Sequence, residues 1–311
     1  MIIAMVGLGR MGANMARRLA RGGVEVIGFD PNAAARQDVV RDGIDAVAAL
    51  AELVQRLSAP RIVWLMVPAG DPTQHAIDEL ATLLAPGDLI VDGGNAHYSD
   101  SQRRGASLAP RKIRFVDCGV SGGVHGLANG YALMFGGDDD AAAMLAPYLR
   151  ILAPAPDAGW LHCGPVGAGH YVKMIHNGIE YGMMQSFAEG FALMHNRTDL
   201  RLDVAKIAEM WRHGSVVRSW LLDLCAEFLA TDSELSGIAP LVADSGEGRW
   251  TVEEAIQQRI AAPVIALALM SRFTSQGGSD YADKVLAMMR KGFGGHAVAS
   301  AAPKPPMSGL P

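Results

Sequence analysis

Ile2-Ile3-Ala4-Met5-Val6-Gly7-Leu8-Gly9-Arg10-Met11-Gly12 sets the architecture of the first half of the chain. Five apolar residues read as a strand, and a GxGxxG turn follows at once and leads into a helical pattern at 12–21. In such a strand–turn–helix, Gly7 permits the tight turn and Gly9 lets the backbone approach a pyrophosphate. Gly12 lets helix and strand pack closely, and the helix N-terminus faces the negative charge. Gly7, Leu8, Gly9, Arg10, Met11 and Gly12 are therefore candidate dinucleotide contacts. A GxGxxG by itself is equally an ordinary turn; its position directly after a strand favours the nucleotide reading.

Asp30 ends the next strand-like run. A carboxylate there accepts hydrogen bonds from both ribose hydroxyls and repels a 2′-phosphate. Pro31 and Asn32 bring no cation, although Arg36 is near, so NAD is expected over NADP. A turn or helix-cap role for Asp30 is the alternative.

Strand-like runs occur at 2–6, 24–29, 61–67, 89–92 and 114–119, with helical patterns such as 12–21 and 73–84 between them. Runs at 131–135 and 160–163 extend the series. Strands alternating with helices imply βαβ units and a parallel sheet. The character changes near Gly164. From 169 to 290 the chain reads as helices at 171–196, 204–211, 219–229 and 251–275. The expectation is an α/β protein: an N-terminal Rossmann-like doubly wound domain over 1–164, followed by an all-α C-terminal domain over 165–298. The segment 299–311, with four prolines, is expected to be disordered.

Composition bounds the function. Half of the 311 residues are hydrophobic and 19% are charged, which suits a globular core. Lys and Arg total 27 against 32 Asp and Glu, a net charge of −5, which argues against nucleic-acid binding. Cys118, Cys163 and Cys225 are widely separated and form no metal or disulfide pattern, so no metal site and a reducing compartment are expected. There is no basic, apolar leader. The longest apolar stretch, 261–270, is short of the roughly 20 residues a membrane helix needs. A cytoplasmic protein without membrane association is the expectation.

Ligands of doubly wound sheets bind beyond the carboxyl ends of the strands. Three such ends here carry Val67-Pro68-Ala69-Gly70, Asp92-Gly93-Gly94-Asn95 and Ser121-Gly122-Gly123. Each is compatible with plain turn chemistry; their common edge favours a ligand role. Farther on, Lys173, His176, Asn177, Glu180 and Tyr181 recur at i, i+3, i+4, i+7 and i+8, one face of a helix. Val172, Met174, Ile175, Ile179, Met183 and Met184 occupy the other faces, so the helix is expected to be buried. Its polar stripe is then a site lining or, alternatively, a solvated face with a Lys173–Glu180 ion pair.

These motifs resemble the 6-phosphogluconate dehydrogenases. The resemblance rests on GLGRMGANM, VDGGNAHYSD, GVSGG, GAGHYVKMIHNGIEYGMMQ, GEGRWT and FGGH, and spans nearly the whole chain. The wider β-hydroxyacid dehydrogenases share the equivalent lysine but usually carry a KxxNN-like pattern, whereas KMIHNGIEY is the phosphogluconate version. The length matches the family's short form, often NAD-linked. The long NADP form usually has Asn-Arg near Asp30.

The resemblance implies oxidative decarboxylation of 6-phosphogluconate to ribulose 5-phosphate, a pentose phosphate reaction. Lys173 corresponds to the general base, which must begin neutral, and Glu180 to the acid that protonates carbon 1. Asn95, Ser121, Gly122, Gly123, His176 and Asn177 correspond to contacts with the sugar acid, with Val67, Pro68 and Asn95 also toward the cofactor. Tyr181, Arg249, Thr251 and Arg272 correspond to phosphate contacts. Arg249 stands where Lys is usual, which keeps the charge and changes its geometry. Arg290 and His296 correspond to phosphate contacts made in a neighbouring subunit, which implies a homodimer or homotetramer; a basic helix end with a glycine stop is the plainer reading. The helical domain would thus bind substrate and dimerise. Three other readings compete: a β-hydroxyacid dehydrogenase for an unphosphorylated 3-hydroxy acid, an imine-reducing relative and a non-catalytic NAD sensor. The cation set argues against the first, and Lys173 with Glu180 against the other two.

Overall fold

The computed structural model describes residues 1–294. His296 and the 299–311 tail lie outside the described residues. The chain forms two compact units, one Met1–Gly178 and the other from Ile179 onward.

The first unit opens with β1 (Ile2–Val6), α1 (Arg10–Arg21), β2 (Glu25–Phe29), α2 (Ala33–Val40), β3 (Asp45–Val47) and α3 (Leu50–Gln55). It continues with β4 (Ile62–Leu65), α4 (Asp71–Leu83), β5 (Leu89–Asp92), α5 (Tyr98–Leu108) and β6 (Arg114–Ser121). The short α6 (Gly126–Asn129), β7 (Ala132–Gly136), α7 (Asp139–Leu152) and β8 (Trp160–Gly164) complete the sheet. Its order is β3-β2-β1-β4-β5-β6-β7-β8. Neighbours from β3 to β6 are parallel, β7 runs antiparallel to β6, and β8 is parallel to β7. The chain steps outward from β1 to β3, then returns to β4 on the other side of β1. That reversal is the switch point where doubly wound sheets hold ligands.

Alternation along each strand builds a core on both faces. Ile3 and Met5 join one apolar cluster with Met15 and Leu19 of α1 and Leu145 and Leu149 of α7. Ala4 and Val6 join the other with Leu53 of α3 and Ile77 and Leu80 of α4. Strands buried on both sides explain the near-continuous apolar runs in the sequence.

Some elements have no apolar signature. β3 is a three-residue edge strand that begins at Asp45 and pairs only with β2. α2 depends on its N-cap, where the Asn32 side chain accepts the Ala34 N–H. α5, with the sequence YSDSQRRGASL, is mostly polar yet buries Ser101, Arg104 and Leu108.

The helix α8 (Ala168–His195) runs from the first unit into the second. The second unit continues with α9 (Val204–Trp211), α10 (Trp220–Thr231), α11 (Glu247–Gln258), α12 (Pro263–Ser275) and α13 (Asp280–Gly294). Val204, Ala208, Leu222, Ala226 and Leu229 form a small core there, flanked by Phe187, Phe191 and Trp211.

Two expectations need correction. The stretch 251–275 is two helices: Arg259 turns into the left-handed region at φ +59°, and Pro263 starts α12. Proline lacks the N–H needed inside a helix but suits its first turn. Second, α8 buries only part of its apolar surface: Met174 is buried and Ile175 half-buried. Val172, Ile179, Met183 and Met184 are exposed, whereas Lys173, Asn177 and Tyr181 are buried. The polar stripe is the inward face because it packs on β6 in the first unit and around Tyr181 in the second. Among the described residues no helix is long and apolar enough to cross a membrane.

Candidate active site

The glycine-rich turn is built for close approach. Gly7 has φ +91°, and a Cβ there would strike the Met66 carbonyl. Gly12 packs against the Gly7 carbonyl, while Gly9 faces open space. Gly9 is the N-cap of α1 and makes no side-chain cap, and the first turn of α1 holds no acidic residue. The amide groups of this helix start can therefore meet an anion. Leu8 is buried and its N–H donates to Asp30 Oδ2 at 2.8 Å, while Asn32 N–H donates to Asp30 Oδ1 at 2.8 Å. Asp30 thus joins the end of β2 to the turn. Arg36 donates to the carbonyls of Asp30 and Pro31, at 2.6 and 3.1 Å. Arg10 is exposed and Met11 half-buried beside this turn. The turn, the bare helix start and the carboxylate fit a dinucleotide.

The other strand-end loops share that edge of the sheet. After β4 Val67 is half-buried and Pro68 exposed, and Asn95 is exposed in the loop after β5. Ser121 and Gly122 are half-buried and Gly123 exposed after β6.

α8 enters this edge at the end of β6. Its start is capped by Asp117, a fully buried carboxylate on β6 that accepts the N–H of Gly167 at 2.6 Å and of His170 at 2.7 Å. Burial pushes the Asp117 carboxyl above its ordinary value, against the opposing pull of His170 and the two amides. His170 Nδ1 in turn meets Ser101 Oγ at 2.7 Å, which ties α8 to α5. One turn later Lys173 passes so close to β6 that a Cβ on Gly119 would overlap the Lys173 Cβ.

Lys173 is 9% exposed, and its Nζ donates to Asn177 Oδ1 at 2.8 Å. The same oxygen meets His176 Nδ1 at 3.1 Å, and His176 Nε2 meets Ser121 Oγ at 3.4 Å. Four sequence-predicted residues thus form one connected cluster within the first unit. Glu180, half-buried, follows Lys173 by about two turns on the same helix.

Within the second unit Tyr181 is the centre of another cluster. The Arg272 guanidinium lies 3.5 Å above its ring centroid and donates to the Ala243 carbonyl at 2.7 Å. The Tyr181 hydroxyl donates to Asp244 Oδ1 at 3.4 Å and meets Ser245 Oγ at 3.2 Å. Arg249 Nε pairs with Asp244 Oδ2 at 2.9 Å, and buried Thr251 donates to the Glu247 carbonyl at 2.9 Å. Arg249 therefore has a protein counter-ion, and its charge alone does not demand a phosphate. Arg290 is an exposed residue of α13, and His296 is outside the described residues.

Sequence reasoning missed Arg104, Asp117, Ser101, His170 and Asp244. The one available signal is positional: Asp92 and Asp117 are acids in otherwise apolar strands.

A glycine-turn doubly wound sheet, an acid after its second strand and a lysine-bearing helix leading into a helical unit define a dinucleotide-dependent oxidoreductase. A family model described as the NAD binding domain of 6-phosphogluconate dehydrogenase matches residues 2–163, and one described as the C-terminal domain of 6-phosphogluconate dehydrogenase matches 169–294. The chain belongs to the 6-phosphogluconate dehydrogenase family. It is 40% identical over 301 residues to an NAD(+)-dependent, decarboxylating 6-phosphogluconate dehydrogenase of Haloferax volcanii, covering 96% of this chain and 99% of that one. An NADP(+)-dependent, decarboxylating relative from Bacillus subtilis is 33% identical over 287 residues, covering 88% of this chain and 61% of the relative. A solved Plasmodium falciparum 6-phosphogluconate dehydrogenase, studied with NADP+ and with 6-phosphogluconate, superposes with a TM-score of 0.83 at 26% identity, over 98% of this chain and 67% of that one.

Proposed function

We propose that this protein oxidatively decarboxylates 6-phospho-D-gluconate to D-ribulose 5-phosphate and carbon dioxide, with reduction of NAD. The observation that carries the reading is the buried Lys173 amine, held by Asn177 beside His176 and Ser121 at the ligand edge of the sheet. Gly7–Gly12 and the start of α1 would hold the pyrophosphate, Asp30 the adenosine ribose, and Val67, Pro68 and Asn95 the remainder of the dinucleotide. When bound, the nicotinamide supplies a hydride acceptor for carbon 3. Lys173 takes the 3-hydroxyl proton as that carbon is oxidised. The resulting β-keto acid loses carbon dioxide, and Lys173 returns its proton to the enolate oxygen. Glu180 then protonates carbon 1 of the enediol while Lys173 takes the proton from its 2-hydroxyl, which leaves the ketone. Asn95, Ser121, Gly122, Gly123, His176 and Asn177 hold the carboxylate and hydroxyls.

Tyr181, Arg249, Thr251 and Arg272 hold the phosphate, joined by Arg290 and His296 of a second copy. The exposed apolar side of α8, with Val172, Ile179, Met183 and Met184, supports such a homo-oligomer. NAD is favoured over NADP because Asp30 is a carboxylate and Arg36 is engaged by backbone carbonyls. Three free cysteines fit a reducing cytoplasm.

One assay tests the reading. Purified protein is given 6-phosphogluconate or unphosphorylated gluconate, each with NAD or NADP, and reduced cofactor and carbon dioxide are followed. Equal production of both from 6-phosphogluconate and NAD is expected. Reduced cofactor without carbon dioxide, or a preference for the unphosphorylated acid, would point to the wider β-hydroxyacid dehydrogenases instead.

A further inference from the structure

Arg104 touches none of the residues assigned to chemistry, yet it holds two of the loops that carry them. It sits on the mostly polar α5 and is 1% exposed, facing Asp92, which is 0% exposed. Its Nη1 donates to Asp92 Oδ2 at 3.0 Å, its Nη2 to the Gly70 carbonyl at 3.2 Å and its Nε to Gln74 Oε1 at 3.3 Å. The second oxygen of Asp92 accepts the N–H of Gly94 at 3.2 Å. Gly94 in turn lies so near the Val67 carbonyl that a Cβ on it would come within 2.8 Å. Thr73, fully buried, donates to the Pro68 carbonyl at 2.8 Å from the same side. One guanidinium therefore binds the 67–70 loop through Gly70 and the 92–95 loop through Asp92.

A buried ion pair adds little net stability over an apolar pair of similar volume. An apolar pair, however, cannot hold two backbone segments at fixed spacing. The planar fork of arginine can, because its donors point in several directions at once. The two loops follow β4 and β5, next to β1 and its glycine turn.

We infer that Arg104 is a positioning residue of the cofactor cleft, fixing the spacing between the 67–70 and 92–95 loops through Asp92 and Gly70. The inference rests on the proposal that these loops contact the dinucleotide.

The test compares wild type, Arg104→Lys and the double variant Arg104→Met/Asp92→Leu. NAD affinity is measured by calorimetry without substrate, thermal midpoints without cofactor, and KM for NAD and for 6-phosphogluconate in turnover. The double variant should stay folded, since both charges leave together. Its NAD dissociation constant and KM for NAD should rise by about tenfold or more, the order expected when a displaced loop loses one hydrogen bond to the cofactor. The KM for 6-phosphogluconate should rise by less than the KM for NAD, since of the proposed substrate contacts only Asn95 lies on these loops. Arg104→Lys keeps the charge but not the fork and should fall between the two. A folded double variant that binds NAD within about twofold of wild type overturns the inference. Should the double variant not fold, Arg104→Lys decides: folded with wild-type NAD affinity refutes the role, folded with weakened affinity upholds it. If wild type itself binds no NAD, the cofactor reading of the loops fails, and the inference fails with it.

Discussion

Lys173 Nζ donates to Asn177 Oδ1 at 2.8 Å across one turn of α8, with both side chains buried. The amide oxygen orients the amine without adding charge. A carboxylate at the same place would favour the charged ammonium. Asn177→Asp should therefore move the pH at which kcat/KM rises toward higher values and lower the rate near neutrality by on the order of 10- to 100-fold, the range of a general acid–base term. A pH–rate profile checks this, and an unshifted acidic limb would separate Asn177 from the amine.

Removing the amine itself is the more direct test. Lys173→Met keeps an unbranched apolar chain against Gly119 and β6 while deleting the proposed base. Turnover should fall by about 100-fold or more. NAD affinity, measured by calorimetry, should stay within about twofold, since a lost general base is not a lost binding contact. Near-wild-type turnover would remove Lys173 from the chemistry.

The parts legible in sequence are those whose meaning is local. Gly7 to Gly12 declare a turn and a helix start within six residues, and KMIHNGIEY places a stripe on one helix. What stayed hidden depends on distant partners. Arg104 meets Asp92 from 12 residues away, His170 meets Asp117 from 53 and Tyr181 meets Asp244 from 63. Periodicity also misled where the apolar rhythm runs through Pro263, and where α8 turns Lys173 and Asn177 inward and Ile179, Met183 and Met184 outward. Period reveals a stripe but not which side of the helix the fold covers.

The proposed preference for NAD rests on Asp30. Its carboxylate already accepts the N–H groups of Leu8 and Asn32, which aims it along the glycine turn. Asp30→Asn keeps an acceptor and removes the charge. The ratio of kcat/KM for NAD over that for NADP should fall by on the order of tenfold to a hundredfold, the equivalent of about 1.5–3 kcal/mol for a hydrogen bond to a charged group. Steady-state kinetics with both cofactors read this directly, and an unchanged ratio would assign Asp30 to the turn alone.

The stack of Arg272 on Tyr181 holds the guanidinium in one orientation, with the Ala243 carbonyl as a second tether. Lysine keeps the charge but loses the planar fork. Arg272→Lys should raise the KM for 6-phosphogluconate by about tenfold and change kcat much less, since the proposed phosphate contact is remote from the reacting carbons. A lower kcat at unchanged KM would contradict a phosphate-binding role.

Asp117 links the helix start to pH. Burial raises its folded value above the ordinary 3.8, so the folded protein holds this proton more tightly than the unfolded chain does. Its contribution to stability is therefore present at low pH and declines as pH climbs from 3.8 to the folded value, levelling off beyond it. Asp117→Asn can still accept an N–H at the start of α8 but cannot ionise, so it lacks that decline. The difference between the thermal midpoints of the two proteins, followed from acid toward neutrality, should shift in favour of the variant. The shift should begin just above 3.8 and then level off. A shift in favour of wild type with rising pH would mean that the two amides of Gly167 and His170 outweigh burial and hold Asp117 in its charged form.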